Sequence, residues 1–288
     1  MSRSSHRKGH QKRHRKNAPR ARATNGDTDV GYWVVAFLDI LGYRSVLAGM
    51  DISPGDLVGQ DAGHAQKAFI RAVNLRRRFV GQLREFLRRD NEHAIPAEIR
   101  ALPGHVHKEY LRFRGAEILN TPGPDHVVLA CSLTSGESHF PVRGVYDVVS
   151  ATAAAMLIQL ALGGDDPEGT LPLRGGIDVA LGGLMMPERF LFSPALTKAY
   201  DLESKCAVSP RAIAGDQFWA YLTEQIQEAD GSNAVQLSKQ FALRVKRLFF
   251  LDSDGKMAVD FFGPVFREQL PADLAANLGG EAWKFVRA

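Results

Sequence analysis

Cysteine is scarce in this chain: Cys131 and Cys206 are the only two in 288 residues. Both sit in apolar or helical contexts, which excludes a disulfide framework and fits buried thiols in a reducing cytoplasm. A long apolar run free of charge is missing too. The most apolar segment, Val145 to Leu162, is rich in alanine and contains Asp147, so it reads as a helix buried in the fold and not as a membrane span. The first 26 residues hold no acid and no apolar stretch of the kind a secretory signal needs. They do carry nine Lys or Arg, leaving 27 basic against 32 acidic residues in the remainder, a net of −5. The basic balance therefore belongs to a tail, and no nucleic-acid-binding surface on the fold follows from it. Residues 1–28 are expected to form a disordered basic tail. Such a tail attracts phosphates of any sequence, but a solvated charge run without a specific partner is the favoured reading. Residues 29–288 are expected to form one domain with a C-terminal extension.

Other absences narrow the chemistry. His105 and His107 flank Val106, but no Cys or third His lies at ligand spacing, so a surface loop is the expectation there. Ser150 and Ser193 have no His and Asp partners that the sequence nominates, which sets aside a hydrolase triad. No internal repeat is present.

What the chain does contain is an ordered alternation of elements. Tyr32 to Leu38 is a Val- and aromatic-rich run of strand length, closed by Asp39 and Gly42. A short helix, Tyr43 to Ala48, is expected next. Gln66 to Arg89 carries Phe69, Val73, Val80, Leu83 and Leu87 at helical spacing, with Arg76, Arg77 and Arg78 read as a solvated face. "RGAEILNTPGPDHVVLACSL", residues 114 to 133, predicts two strands joined by a Pro and Gly turn, with Asp125 at the start of the second. A helix from Val142 to about Leu162 leads to the strand "LPLRGGIDVALGG", whose glycines 175, 176, 182 and 183 allow close backbone approach. Ser193 and Pro194 open the next helix as N-cap and first helical residue. "PRAIAG" predicts a short strand and Asp216 to Glu228 a helix. "RVKRLFFLDSDGKMAVDFF" predicts a hairpin turned by Asp254 and Gly255. This order fits an α+β fold of ferredoxin-like type, a sheet covered by helices on one side.

Asp39 and Asp125 draw attention as a pair. If the hairpin lies antiparallel beside the first strand, the two carboxylates share one edge of the sheet, where they repel unless a cation lies between them. Hard divalent ions take oxygen ligands and bind through one or two carboxylates together with substrate phosphates, as two-metal phosphoryl-transfer sites do. The "ILGY" turn after Asp39 aims backbone N–H groups outward at a helix start, where phosphate binds well. An apolar strand ending in Asp is also a common N-cap, so the stretch by itself leaves a structural reading open.

"VVAFLDILGYRSVL" resembles the opening strand and turn of the class III nucleotidyl cyclase catalytic domain. "PDHVVLA" resembles that family's hairpin strand, "LRGGIDVALGG" its Arg, Ile and Gly strand, and "SPALTKAYDLESKCAVSPRAIAG" the helix and strand that follow. The likeness spans residues 32–215 in order, and "FLDILGY", "RGGI" and "AYDLES…PR" are most similar to the bacterial Pycsar pyrimidine cyclases. The resemblance implies conversion of UTP or CTP to a 3′,5′-cyclic nucleotide and pyrophosphate, UTP being favoured, as a second messenger for a separate effector in antiphage defence. It implies two divalent ions, Mn²⁺ or Mg²⁺, held by Asp39, Asp125 and the backbone carbonyl of Ile40, with Ile40, Leu41, Gly42 and Tyr43 lining the triphosphate. It implies a cytoplasmic homodimer in which Thr121, Phe190 and Thr197 face a nucleotide whose metals the partner holds.

The departures from the family pattern are specific. Thr121 and Phe190 occupy the positions of the base-reading Lys and Asp of adenylate cyclases. Thr197 and Asp201 stand where the family has an Asn and an Arg that act on ribose and phosphate. Arg174, Lys198 and Arg211 are the candidates to replace them. Phe190 and Phe192 could stack on a base, although an aromatic pair in this setting is more often core. A degenerate cyclase fold serving as a nucleotide-binding regulator is the alternative.

Overall fold

The central strand decides the architecture. Residues 34–38 are apolar at every position, which suits a strand buried on both faces, and in the computed structural model β1 (Thr28–Ile40) lies between two antiparallel neighbours. The structure describes residues 28–41, 60–90, 103–104, 118–123, 125–133, 141–165, 172–185, 190–227, 233–268 and 270. The basic tail, Gly42, the expected helix Tyr43 to Ala48, and His105 and His107 lie outside the described residues.

After β1 come α1 (Gln60–Asp90), β2 (Leu119–Pro122), β3 (His126–Ser132), α2 (Pro141–Asp165) and β4 (Leu173–Met185). These six elements place their strands in the order β2-β3-β1-β4, all antiparallel, which is the ferredoxin-like β-α-β-β-α-β arrangement. β5 (Phe190–Phe192) turns back on the end of β4, and α3 (Pro194–Cys206) follows. β6 (Ala212–Ala214) then runs parallel to the start of β4. Next are α4 (Asp216–Gln227), α5 (Asn233–Lys246), β7 (Phe249–Leu251) and β8 (Met257–Val259), which extend the sheet, and α6 (Pro264–Arg267). The chain is α+β, as its element order predicts.

Side-chain alternation sorts the two faces of β1. Val34, Ala36, Leu38 and Ile40 enter a large core with Leu83 of α1, Val149 of α2, Phe218 of α4 and Phe241 of α5. Trp33 and Val35 face the other way, against Leu191 and Ala195. Helices therefore cover both faces, which corrects the expectation of one covered side. α3 lies on the face opposite α2, and Gly176 makes that possible, since a Cβ there would collide with the Ala199 carbonyl oxygen. The cap of α3 is the expected one: Ser193 Oγ accepts from the Ala195 N–H at 3.1 Å, with Pro194 at the first turn.

α2 is apolar all round because it is enclosed all round. Val142 to Leu162 is long and apolar enough to cross a membrane, but every residue of it is buried within the fold. Arg143 and Asp147 are satisfied inside by a 2.6 Å ion pair, and the Arg143 guanidinium lies 5.3 Å from the Tyr146 ring centre. Two further expectations need correcting. α5 is absent from the sequence reading, although Leu237, Phe241, Ala242 and Val245 are buried at helical spacing. Phe190 and Phe192 are 58% and 72% exposed, so only Leu191 of that strand is core.

Candidate functional site

The β1–β3 register carries Asp39 and Asp125 to the same end of the sheet. Asp39 pairs with His126, and the Ile40 N–H donates to the Asp125 carbonyl at 2.9 Å. The two carboxylates, distant in sequence, thus sit on adjacent chain segments, with their side chains 22% and 29% exposed. Asp125 itself is a bend just ahead of β3. His126 Nδ1 is 2.8 Å from Asp125 Oδ1, a distance at which the ring N–H donates to the carboxylate. On the other flank, Asp39 Oδ2 is 3.6 Å from a guanidinium nitrogen of Arg174, which β4 brings opposite Asp39. Arg174 Nε is paired in turn with Glu203 of α3, a carboxylate only 2% exposed. Losing either partner of such a buried pair leaves a costly charge behind, so Glu203 fixes where the Arg174 charge stands.

An aromatic group adjoins this end. Phe37 stacks on His126 at 5.2 Å between ring centres and meets Tyr200 of α3 edge-on at 5.4 Å. The β2–β3 turn that bears Asp125 is closed by the Gly123 N–H donating to the His126 carbonyl at 2.8 Å. Arg76 of α1 reaches the same turn, its Nη2 donating to the Gly123 carbonyl at 2.7 Å and to the His126 carbonyl at 2.5 Å. Arg76 is therefore no part of a solvated face.

Several sequence-derived assignments change in this geometry. The N–H groups of Ile40 and Leu41 are already spent, on the Asp125 carbonyl and on the Pro172 carbonyl at 2.9 Å. They have nothing left to offer a phosphate, and of the expected "ILGY" amides only those of Gly42 and Tyr43 remain, outside the described residues. Thr121 is exposed and pairs with Val128, which pairs with Phe37, so it stands near the aspartate end. Thr197 is exposed on α3. Phe190 pairs with Met185, opposite Thr28, eleven residues along β1 from Asp39. At about 3.3 Å per residue the strand separates them by roughly 36 Å. Within one chain Phe190 is at the opposite end of the sheet from the carboxylate pair.

The candidate replacements for the missing Asn and Arg also separate. Arg211 is committed to the β7–β8 turn: it contacts Asp252 and Asp254 at 2.5 Å each and the Cys206 carbonyl at 2.8 Å. Those contacts hold both carboxyls below the usual aspartate range. Asp201 is paired with Lys205 at 3.0 Å. Arg174 is beside Asp39, and Lys198 is exposed on α3. Asp178, one strand position on from Ile177, is buried, and that burial raises its pKa. Its Oδ1 accepts from the Val179 and Phe218 N–H groups and so caps the start of α4.

Among the described residues no group of three or more His, Cys, Asp and Glu side chains converges on a metal position. Two partly exposed carboxylates at one sheet end fit a hard divalent ion that takes its remaining oxygens from substrate phosphate and water. They do not fit a closed structural site.

No protein-family model matches the chain, and no curated protein matches it. The solved structures that are similar include two cyclases. The guanylyl cyclase Cya2 matches with a TM-score of 0.41 at 12% identity, over 67% of this chain and 79% of that one. The adenylyl cyclase CyaB from P. aeruginosa matches with a TM-score of 0.39 at 13% identity, over 69% and 83%. Likenesses this distant assign nothing to the residues of the present chain.

Proposed function

We propose that the protein is a nucleotidyl cyclase of class III type. One observation carries the reading above the rest: Asp39 and Asp125 lie at one end of neighbouring strands, linked through the Ile40 N–H and the Asp125 carbonyl. The order of "FLDILGY", "PDHVVLA", "RGGI" and "AYDLES" along the chain supports it.

In this reading Asp39, Asp125 and the Ile40 carbonyl hold two divalent ions, Mg²⁺ or Mn²⁺. When bound, those ions supply Lewis acidity toward the ribose hydroxyl and charge neutralisation for the phosphates. The ribose 3′-oxygen attacks the α-phosphorus in line and the bond to the β-phosphate oxygen breaks. Pyrophosphate leaves and the hydroxyl proton passes to solvent. The protein contributes positioning and electrostatics and forms no covalent intermediate. Arg174, held by Glu203, keeps positive charge beside Asp39 where the triphosphate is expected.

UTP is the favoured substrate and CTP the alternative, on the resemblance to pyrimidine cyclases. The product would act on a separate effector in antiphage defence, from a cytoplasmic enzyme with one catalytic domain over residues 29–288. A homodimer is supported by an exposed apolar set at the far end of the sheet. Val30, Tyr32, Leu181, Met185, Phe190 and Phe192 are each 47 to 72% exposed and share one face there. Such a set marks an interaction surface. Phe190, remote from its own Asp39, would then reach a partner's nucleotide. The tail contacts nucleic acid, if at all, without sequence preference.

A catalytically silent nucleotide-binding regulator is the second reading, favoured by Thr197 and by the Asp201–Lys205 pair where the family has its Asn and Arg. Purified protein incubated with each of four labelled NTPs and Mn²⁺, followed by chromatography, separates the two. Cyclic pyrimidine product, reduced at least a hundredfold by Asp39→Asn, is the expected result. Full turnover in that variant removes the metal assignment, and no product from any NTP favours the regulator.

A further inference from the structure

Asp125 is held differently from Asp39. Asp39 belongs to a central strand paired on both sides, whereas Asp125 occupies a bend at a hairpin turn and owes its position to whatever fixes that turn. Two carbonyls flank it in sequence, Gly123 two residues before and His126 one after, and one nitrogen of Arg76 donates to both, at 2.7 and 2.5 Å. The guanidinium is steadied from behind by Phe79, whose ring centre lies 5.2 Å from its carbon, and Phe79 is buried in the main core. A planar guanidinium suits this better than an ammonium, because its flat face lies on the Phe79 ring while its edge donates to the two carbonyls.

We propose that Arg76 is a positioning residue that sets the Asp125 carboxylate for divalent metal, resting on the metal assignment made above. Ligands to a metal must be held to within about 0.5 Å to bind well. Partners that orient such ligands without touching the ion typically contribute ten- to a hundredfold in affinity. Arg76 ties α1, and through Phe79 the main core, to the one turn of the hairpin that carries a proposed ligand. Its neighbours Arg77 and Arg78 are exposed, so the function is specific to position 76.

The test is Mn²⁺ binding to the full chain, read from the electron paramagnetic resonance signal of free Mn²⁺, beside the thermal midpoint of each variant. Arg76→Lys and Arg76→Met are expected to weaken Mn²⁺ binding by ten- to a hundredfold, Lys by less than Met, while Arg77→Ala leaves it unchanged. In turnover, Arg76→Lys is expected to need more Mn²⁺ and to recover at saturating metal, with the nucleotide KM unchanged. A purely structural Arg76 would lower the thermal midpoint and leave Mn²⁺ affinity in the folded protein as in the wild type, and that result overturns the proposal. Asp125→Asn separates the two layers. If it weakens Mn²⁺ binding and the Arg76 variants do not, the clamp alone fails. If Asp125→Asn binds Mn²⁺ as the wild type does, the metal assignment fails and takes the clamp with it.

Discussion

Gly176 shows how much one atom can decide. Its Cα faces the backbone of α3, and a methyl group would meet the Ala199 carbonyl and the Leu202 side chain with no rotamer to absorb the clash. Overpacking of this kind costs about 1 to 3 kcal/mol, so Gly176→Ala is expected to lower the urea midpoint by that equivalent. An unchanged midpoint would mean that α3 slides freely on β4. Arg211 is decisive through charge. It lowers the pKa of Asp252 and Asp254 first by hydrogen bonding, from the reference value of 3.8. Carboxyls depressed in the folded state contribute stability that is complete above the unfolded pKa and is lost as pH falls through the folded value. Thermal unfolding between neutral and acid pH is therefore expected to show a loss of stability below about pH 4 that shrinks in Arg211→Met; equal acid losses in the two proteins would refute the assignment. Asp178 has the opposite sign. Burial raises its pKa, so its contribution is fully present below the unfolded value and is lost as pH rises through the folded one.

At the scale of elements, α5 and β5 are the informative ones. α5 lies beyond the reach of motif reading because it carries none: its evidence is a stripe of Leu237, Phe241 and Val245 that a charged, Ser- and Gln-containing sequence interrupts. Phe241 is wholly buried and meets Tyr146 edge-on at 5.2 Å, tying α5 to α2. Removing a buried phenyl ring costs about 3 to 5 kcal/mol, so Phe241→Ala is expected to shift the urea midpoint by that much; a loss below 1 kcal/mol would show α5 to be peripheral. β5 went the other way. Two phenylalanines in three residues suggest core, but the strand pairs with the end of β4, and alternation sends Leu191 against Ala195 of α3 and both rings outward.

For the molecule as a whole, the sheet has two contrasting ends. Asp39, Asp125 and Arg174 gather at one, and exposed Val30, Tyr32, Phe190 and Phe192 at the other. If a second copy covers the apolar end, Phe192→Asp is expected to halve the mass seen by light scattering while leaving the circular dichroism spectrum intact. A wild type that is already monomeric at micromolar concentration would defeat the homodimer.

Local pattern was enough for β1, α2, the cap at Ser193, the Asp254 and Gly255 turn and the β-α-β-β-α-β order, because each rests on neighbours in sequence: apolar runs, helical spacing, turn residues. It also singled out Asp39 and Asp125 as residues worth pairing. What only the tertiary structure decided are the relations between distant segments. The β1–β3 register set the two aspartates at one end of adjacent strands and used up the Ile40 amide. The crossing of α1 over the hairpin made Arg76 a clamp, and packing on both faces of the sheet put α3 where Glu203 could hold Arg174. An arginine on a helix looks the same in sequence whether it meets water or a carbonyl, since hydrogen bonds and ion pairs depend on distances that the fold alone creates.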